Sequence, residues 1–297
     1  MYDTILVPTD GSEHAERAAE HALHLSRAFD ATVHVINVVD VQSEGGLFSA
    51  GGVDEEFVGQ LEDRARETIA ELDTLTDSSD DVRTAVVKGK PSEGILEYAD
   101  DNDVDLVLMG THGRTGLNRF VTGSVAERVV RLSDVPVFTV RATERSVVGD
   151  GYDPILIPTD GSDCATAAVD HGIAIARKYG ATVHAVNVVD IRSVATASEV
   201  GPEADLLQQL EERGEDATEA VAERAREAGL DATTAVRKAV PARGLLDYAD
   251  DNDADLIAMG THGRSGLDRH FLGSTTAKVV RAAEIPVLSV RSPEEDE

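Results

Sequence analysis

The sequence predicts an α/β fold written twice: two tandem doubly wound domains, each a parallel sheet with helices on both faces. Three observations predict it. Short apolar runs of strand length alternate with longer segments whose apolar residues recur at spacings of three and four. The runs lack polar alternation, as expected of strands covered on both faces. The whole pattern returns at an offset of 150 residues, so one domain plan fills each half of the chain.

In the first copy the expected order is strand 4–7, helix 13–29, strand 32–39, helix 55–72, strand 83–87, helix 92–102, strand 106–109, helix 124–132 and strand 136–140. Each strand is a compact β-branched or aliphatic run, and each helix carries apolar residues at helical period. Their alternation implies parallel pairing, because each crossover helix returns the chain to the same end of the sheet. The repeat is direct. Tyr2-Asp3-Thr4-Ile5-Leu6-Val7-Pro8 comes back as Tyr152-Asp153-Pro154-Ile155-Leu156-Ile157-Pro158, and Val135-Pro136-Val137 as Ile285-Pro286-Val287. Between Tyr98 and Leu117, 16 of 20 positions equal the residue 150 places on. Residues 142–151, without a periodic apolar pattern and closing on Gly149-Asp150-Gly151, read as a linker. The expected domains are therefore 1–141 and 152–291, followed by an acidic tail, 292–297.

Composition narrows the function classes. The 297 residues include 56 Asp or Glu against 27 Lys or Arg, a formal net charge of −29. A surface this acidic repels phosphate backbones and anionic lipid, which argues against nucleic-acid and membrane partners. No apolar run approaches the roughly 18 residues a membrane span requires. The first residues have neither the basic start nor the apolar stretch of a signal peptide, and the single cysteine, Cys164, suits a reducing compartment. A cytoplasmic location is the expectation. Only five basic residues are Lys, against 22 Arg, and the acidic residues are spread over both halves. That pattern suits a protein kept hydrated in concentrated salt, where a Debye length of about 3 Å at 1 M screens self-repulsion. The aspartates of 100–105, repeated at 250–255, lack the distal Glu and Gly of a calcium loop and read as a solvated turn.

Two strand ends carry unusual residues. Pro8-Thr9-Asp10-Gly11-Ser12 follows the first strand. Gly110-Thr111-His112-Gly113-Arg114 follows the fourth, after Met109, and runs on to Gly123-Ser124 at the start of a helix. Ligands of open parallel sheets bind beyond such carboxyl ends. A glycine directly after a strand admits close backbone approach, and a helix start presents free N–H groups and partial positive charge to a phosphate. Another reading stays open: Ser124-x-x-Glu127 has the form of a capping box, although Ala277 replaces the Glu in the second copy while Gly273-Ser274 remains. Asp10 is similarly open between a ligand role and capping the following helix. His112 is open between touching phosphate and facing solvent.

Taken together, Gly110-x2-Gly113-x9-Gly123-Ser124 and Gly260-x2-Gly263-x9-Gly273-Ser274 resemble the nucleotide-binding motif of the universal stress protein family, in its ATP-binding branch. The opening Ile5-Leu6-Val7-Pro8-Thr9-Asp10-Gly11-Ser12 and the strand end Asn37-Val38-Val39-Asp40 are also similar to that family. The resemblance covers both halves. It implies Rossmann-like domains of the adenine nucleotide alpha hydrolase type with strand order 3-2-1-4-5. It implies ATP, or AMP or ADP, as ligand, with Mg or Mn held through the phosphates rather than by protein side chains.

Residue by residue, the resemblance sets Asp10 and Asp160 near the ribose or adenine, with Pro8, Thr9, Pro158 and Thr159 beside them. Val38 and Val188 offer backbone groups to the adenine edge. Met109, Gly110, Gly113, Met259, Gly260 and Gly263 line the ribose and phosphates. Gly123-Ser124-Val125 and Gly273-Ser274-Thr275 hold the phosphate tail. Arg114 and Arg264, the cations that recur inside the glycine loops, either neutralise phosphate or are solvated. Ala239 in place of Gly89 and Lys278 in place of Arg128 are departures of the second copy. The glycine-rich stretch 45–52 is expected as a flap over the adenine, with a less glycine-rich counterpart at 195–201.

No Ser-His-Asp order, zinc-ligand spacing or Walker lysine is present, so no catalytic residue is assigned. The expectation is a nucleotide-binding regulatory or stress-response protein. A slow ATPase or autokinase and a nucleotide-free interaction module are the alternatives. The family commonly dimerises through its last strand. The two copies are thus expected to pair through 136–140 and 286–290 within one chain, with a homodimer as a further possibility and no protein partner identified.

Overall fold

The computed structural model describes residues 1–45, 55–113, 123–192, 203–263 and 272–292. It divides into two compact units, Met1–Val148 and Gly149–Glu297. Unit one runs β1 (Thr4–Pro8), α1 (Glu13–Phe29), β2 (Thr32–Val39), a short α2 (Val41–Gly45), α3 (Glu55–Ala70), β3 (Val82–Lys88), α4 (Pro91–Asp101), β4 (Leu106–Gly110), α5 (Ser124–Leu132) and β5 (Val137–Val140). Unit two runs β6 (Ile155–Pro158), α6 (Asp163–Tyr179), β7 (Val183–Asp190), α7 (Glu203–Glu227), β8 (Ala232–Ala239), α8 (Pro241–Asp251), β9 (Leu256–Gly260), α9 (Ser274–Ala282) and β10 (Val287–Val290).

In unit one β1 pairs with β2 and β4, β2 with β3, and β4 with β5, all parallel, which gives the order 3-2-1-4-5. Unit two repeats it as β8-β7-β6-β9-β10. The winding reverses between β1 and β4. Accordingly α1 and the 3-10 turn that ends α3 (Glu71–Leu75) pack together, while α4 packs with α5. The central strands carry the core: Ile5, Leu6, Leu106 and Leu108 are fully buried, as are Ile155, Leu156, Leu256 and Ile257.

Local chemistry fixes the elements. The Ser12 hydroxyl caps α1 by accepting the Ala15 N–H (3.3 Å), and Asp30 ends it in the left-handed conformation (φ 61°). Ser162 and Gly180 (φ 66°) do the same for α6. The Asp105 carboxylate accepts the N–H groups of Asp3 (2.8 Å) and Thr4 (2.9 Å), tying the entry of β1 to that of β4, and Asp255 accepts from Asp153 (2.9 Å). The aspartate-rich turn is therefore partly a structural clasp, where the sequence suggested solvated charge.

Three expectations change. β3 is not covered on both faces: as the outermost strand of its order it exposes Arg83, Thr84 and Lys88. The segment read as a linker begins docked against unit one. Ala142 donates its N–H to His14 Nδ1 (2.7 Å), and the turn Glu144–Ser146 places the Ser146 carbonyl on buried His21 Nε2 (2.8 Å). The expected helix 55–72 passes into the 3-10 turn after Ala70. Residues 46–52 and 195–201 of the expected flaps, and the tail beyond 292, lie outside the described residues. No described helix is long and apolar enough to cross a membrane.

Candidate functional site

At the reversal point of unit one, the ends of β1 and β4 and the start of α5 surround a cavity of about 720 Å³. That volume lies within the roughly 300–1,000 Å³ typical of small-molecule sites. The sequence-predicted residues Pro8, Thr9, Asp10, Val38, Met109, Gly110, Gly113, Gly123, Ser124 and Val125 all line it. Arg114 and Arg264 lie outside the described residues.

The β1 end is held by its own loop chemistry. Thr9 donates its N–H to the Ile36 carbonyl (2.8 Å), extending the pairing of β1 with β2 by one residue. Asn37 Nδ2 donates to the Thr9 carbonyl (2.8 Å), pinning the point where the chain leaves the sheet. Thr9 Oγ1 accepts the Gly11 N–H (3.1 Å), and Asp10 Oδ1 accepts the Ser12 N–H (3.1 Å), around Gly11 at φ 74°. Asp10 is therefore not the helix cap, a job that falls to Ser12. It is exposed at the cavity edge.

Backbone parity opens β2 to the same cavity. In a parallel sheet successive residues direct their N–H and C=O groups to opposite neighbours. The Ile36 carbonyl faces β1, and the Val39 carbonyl faces the other way, accepting the Gly89 N–H (3.0 Å). The N–H and C=O of Val38 thus point towards β1, beyond the residue at which β1 has turned away. Val188 has the same parity, since Thr159 donates to the Val186 carbonyl (2.9 Å).

The β4 end and the α5 start form the opposite wall. Thr111 donates its N–H to the Val140 carbonyl (2.8 Å), and Gly123 donates to the Thr111 carbonyl (2.7 Å), bringing the two ends of the glycine loop together. Gly123 is the N-cap of α5 and has no side chain to cap with. The capping box that Ser124 and Glu127 suggest does not form, because Ser124 is already inside the helix. The first turn therefore keeps its N–H groups for the cavity. α9 begins identically at Gly273.

Two glycines have distinct reasons. A Cβ on Gly110 would lie 2.7 Å from the backbone carbon of His14, so this glycine lets α1 close on β4 and answers to packing as well as to the cavity. Among the described residues, a Cβ on Gly113 would meet the Asp10 carboxylate, with Oδ2 at 2.5 Å, and so compete with a group that lines the cavity. Gly260 against Cys164 and Gly263 against Asp160 repeat both relations.

His112 is buried, 6% exposed, where the solvent-facing reading had it free. Its Nδ1 lies 2.9 Å from Thr111 Oγ1, and its carbonyl accepts the Ser12 hydroxyl (3.3 Å). Its ring stands 5.0 Å from that of His14. Burial, and then the neighbouring His112, hold the His14 imidazole below its usual pKa.

The residues that sequence reasoning missed are chiefly Asn37, Pro91, Ile95 and Glu127 in the cavity wall. Asn37 had a signal, a polar residue inside an apolar strand that recurs as Asn187. Pro91 and Ile95 had none, since α4 reaches the cavity only through tertiary packing.

Unit two repeats the frame. Asn187 donates to the Thr159 carbonyl (2.7 Å), Asp160 accepts from Ser162 (3.0 Å), Thr261 donates to Val290 (2.8 Å) and Gly273 to Thr261 (2.8 Å). Pro158, Met259 and Gly260 are buried there, Asp160, Val188, Gly273 and Thr275 half-buried, and Gly263 and Ser274 exposed.

Two doubly wound parallel units, the first with a glycine-framed cavity at its switch point, define the class as a tandem Rossmann-like fold. The model of the universal stress protein family matches residues 1–141 and 151–291, and the chain belongs to that family. It is similar to a universal stress protein of Methanocaldococcus jannaschii, 37% identical over 154 residues, which covers 51% of this chain and 91% of that protein. One of Mycolicibacterium smegmatis is 27% identical over 298 residues, 97% of this chain and 96% of its own. Among solved structures, a universal stress protein of Archaeoglobus fulgidus aligns with a TM-score of 0.74 and 20% identity, over 97% of this chain and 98% of that one, a likeness of fold.

Proposed function

We propose that the protein binds an adenine nucleotide in each unit and acts through occupancy, as a stress-response regulator. The observation that carries this reading is the uncapped start of α5 facing the open backbone edge of β2 across one cavity. The N–H and C=O of Val38 form a donor beside an acceptor, complementary to the adenine N1 and its amino group. Ile95, Met109 and Pro8 supply apolar surface for the ring. Asp10 lines the same cavity and suits a ribose hydroxyl, and the N–H groups of Ser124 and Val125, behind the Gly123 N-cap, suit the phosphates. Val188, Asp160 and Gly273-Ser274-Thr275 take the same parts in unit two.

Among the described residues no three His, Cys, Asp or Glu side chains group to hold a metal. A Mg or Mn ion held through the phosphates would neutralise part of their charge. Slow hydrolysis or autophosphorylation would be a side activity of such a site.

Thermal unfolding with and without ATP and Mg tests the reading. Ligand at 1,000 times its dissociation constant stabilises the state that binds it by about 4 kcal/mol per site. A Tm raised by millimolar ATP, and raised less in Gly123→Val, is expected. A Tm indifferent to adenine nucleotides contradicts the proposal.

A further inference from the structure

The ladder between β1 and β2 stops one rung early, and the same happens between β6 and β7. The parallel register runs from Thr4↔Thr32 to Pro8↔Ile36, and the Thr9 N–H continues it onto the Ile36 carbonyl (2.8 Å). The next rung of that register would join the Val38 N–H to the Thr9 carbonyl. Among the described residues that rung is absent, and the Thr9 carbonyl instead accepts from Asn37 Nδ2 (2.8 Å). Unit two repeats the exchange. Its register ends at Pro158↔Val186, Thr159 donates to the Val186 carbonyl (2.9 Å), and Asn187 Nδ2 takes the Thr159 carbonyl (2.7 Å) in place of the Val188 N–H. Asparagine is a poor strand former, yet each copy sets one at this point of an otherwise apolar run. In unit two the amide is also packed into this pose. A Cβ on Gly214 of α7 would lie 2.6 Å from Asn187 Oδ1, so the helix makes room for it with a glycine.

Resting on the nucleotide reading above, we propose that Asn37 and Asn187 are positioning residues for base selectivity. Each side chain occupies a backbone carbonyl and thereby keeps the N–H of Val38 or Val188 open to the ligand. A backbone carbonyl in a buried residue needs a donor. Thr9 and Thr159 are 5% and 7% exposed. Without the amide, the donor that the register brings to the Thr9 carbonyl is the Val38 N–H, and β1 and β2 would close one rung further. That rung consumes the donor assigned to adenine N1 and leaves the Val38 carbonyl for the amino group. Selectivity for a ring with an acceptor at N1 therefore depends on a side chain one residue away from the contact.

The test has two readouts on the full chain. The first is amide hydrogen exchange without ligand. In wild type the Val38 and Val188 N–H should exchange at least about 10-fold faster than those of Thr9 and Thr159, and they should become protected when both asparagines are replaced, Asn37→Leu with Asn187→Leu. The second is equilibrium titration in excess Mg with ATP and with 1-deaza-ATP, which carries C–H in place of N1. Wild type should prefer ATP about 3- to 10-fold, the scale of one hydrogen bond, and the double variant should bind the two within about twofold of each other. A structural role alone would weaken both compounds equally and leave their ratio unchanged. Asn37→Ala with Asn187→Ala gives the same comparison if the leucine variant does not fold. Val38 and Val188 amides already protected in wild type, a wild type blind to the change at N1, or a preference for ATP that both variants keep overturns this proposal and leaves the nucleotide reading intact. A wild type that binds neither compound overturns both.

Discussion

At the scale of single residues, glycines of one motif do different work. Gly110→Ala drives a methyl group into the His14 backbone and should destabilise unit one by about 2 kcal/mol or more, read as a lower Tm without ligand. Among the described residues Gly113→Ala displaces the side-chain carboxylate of Asp10 and no backbone, so its Tm should fall far less while nucleotide binding weakens. Equal losses of Tm would refute that division. His21 gives a pH prediction. Burial pulls its pKa down to about 4 from an ordinary 6.5, against the Ser146 hydrogen bond that favours the protonated ring. The unfolded chain thus binds the proton more tightly than the folded one. The stability held by neutral His21 is complete above about pH 6.5 and is lost progressively as the pH falls towards 4, by about 3 kcal/mol in total. Denaturant titrations from pH 7 to 4 should show this slope in wild type and a shallower one in His21→Gln.

At the scale of elements, the helix starts separate two uses of serine. Ser12 caps α1, so Ser12→Ala should cost about 1 kcal/mol. Ser124 lies inside α5 behind an N-cap glycine, so Ser124→Ala should alter stability by less than about 0.5 kcal/mol and act on ligand binding instead. Denaturant midpoints of the two variants compare them directly. Most element positions were legible because burial writes periodicity into the chain. α1 and α5 begin and end where the apolar period does, and β2 spans its whole apolar run. The misreadings have physical causes. β3 is aliphatic enough to pass for a central strand, yet strand order, which no local pattern encodes, puts it outermost. The capping box at Ser124 satisfied a sequence rule, but the preceding glycine took the cap position. Asn37 and the glycine frame could be seen in the repeat. Pro91 and Ile95 could not, because their approach depends on how α4 packs.

At the scale of the whole molecule, a net charge of −29 and the proposed phosphate-binding site are compatible. The helix starts and open backbone groups act within the cavity, whereas the acidic surface acts over a Debye length. Lowering KCl from about 2 M, where screening reaches only about 2–3 Å, to about 0.1 M, where it reaches about 10 Å, restores self-repulsion and should lower the Tm. An unchanged Tm across that range would remove the salt-adapted reading of the composition. The tandem plan makes each site the control for the other, since the loop hydrogen bonds of unit one recur in unit two. Calorimetric stoichiometry uses that design most directly. Titrating the full chain with ATP and Mg should give two nucleotides per chain for wild type and one each for Gly123→Val and Gly273→Val. Wild-type protein that takes up no nucleotide at millimolar ATP would contradict the account.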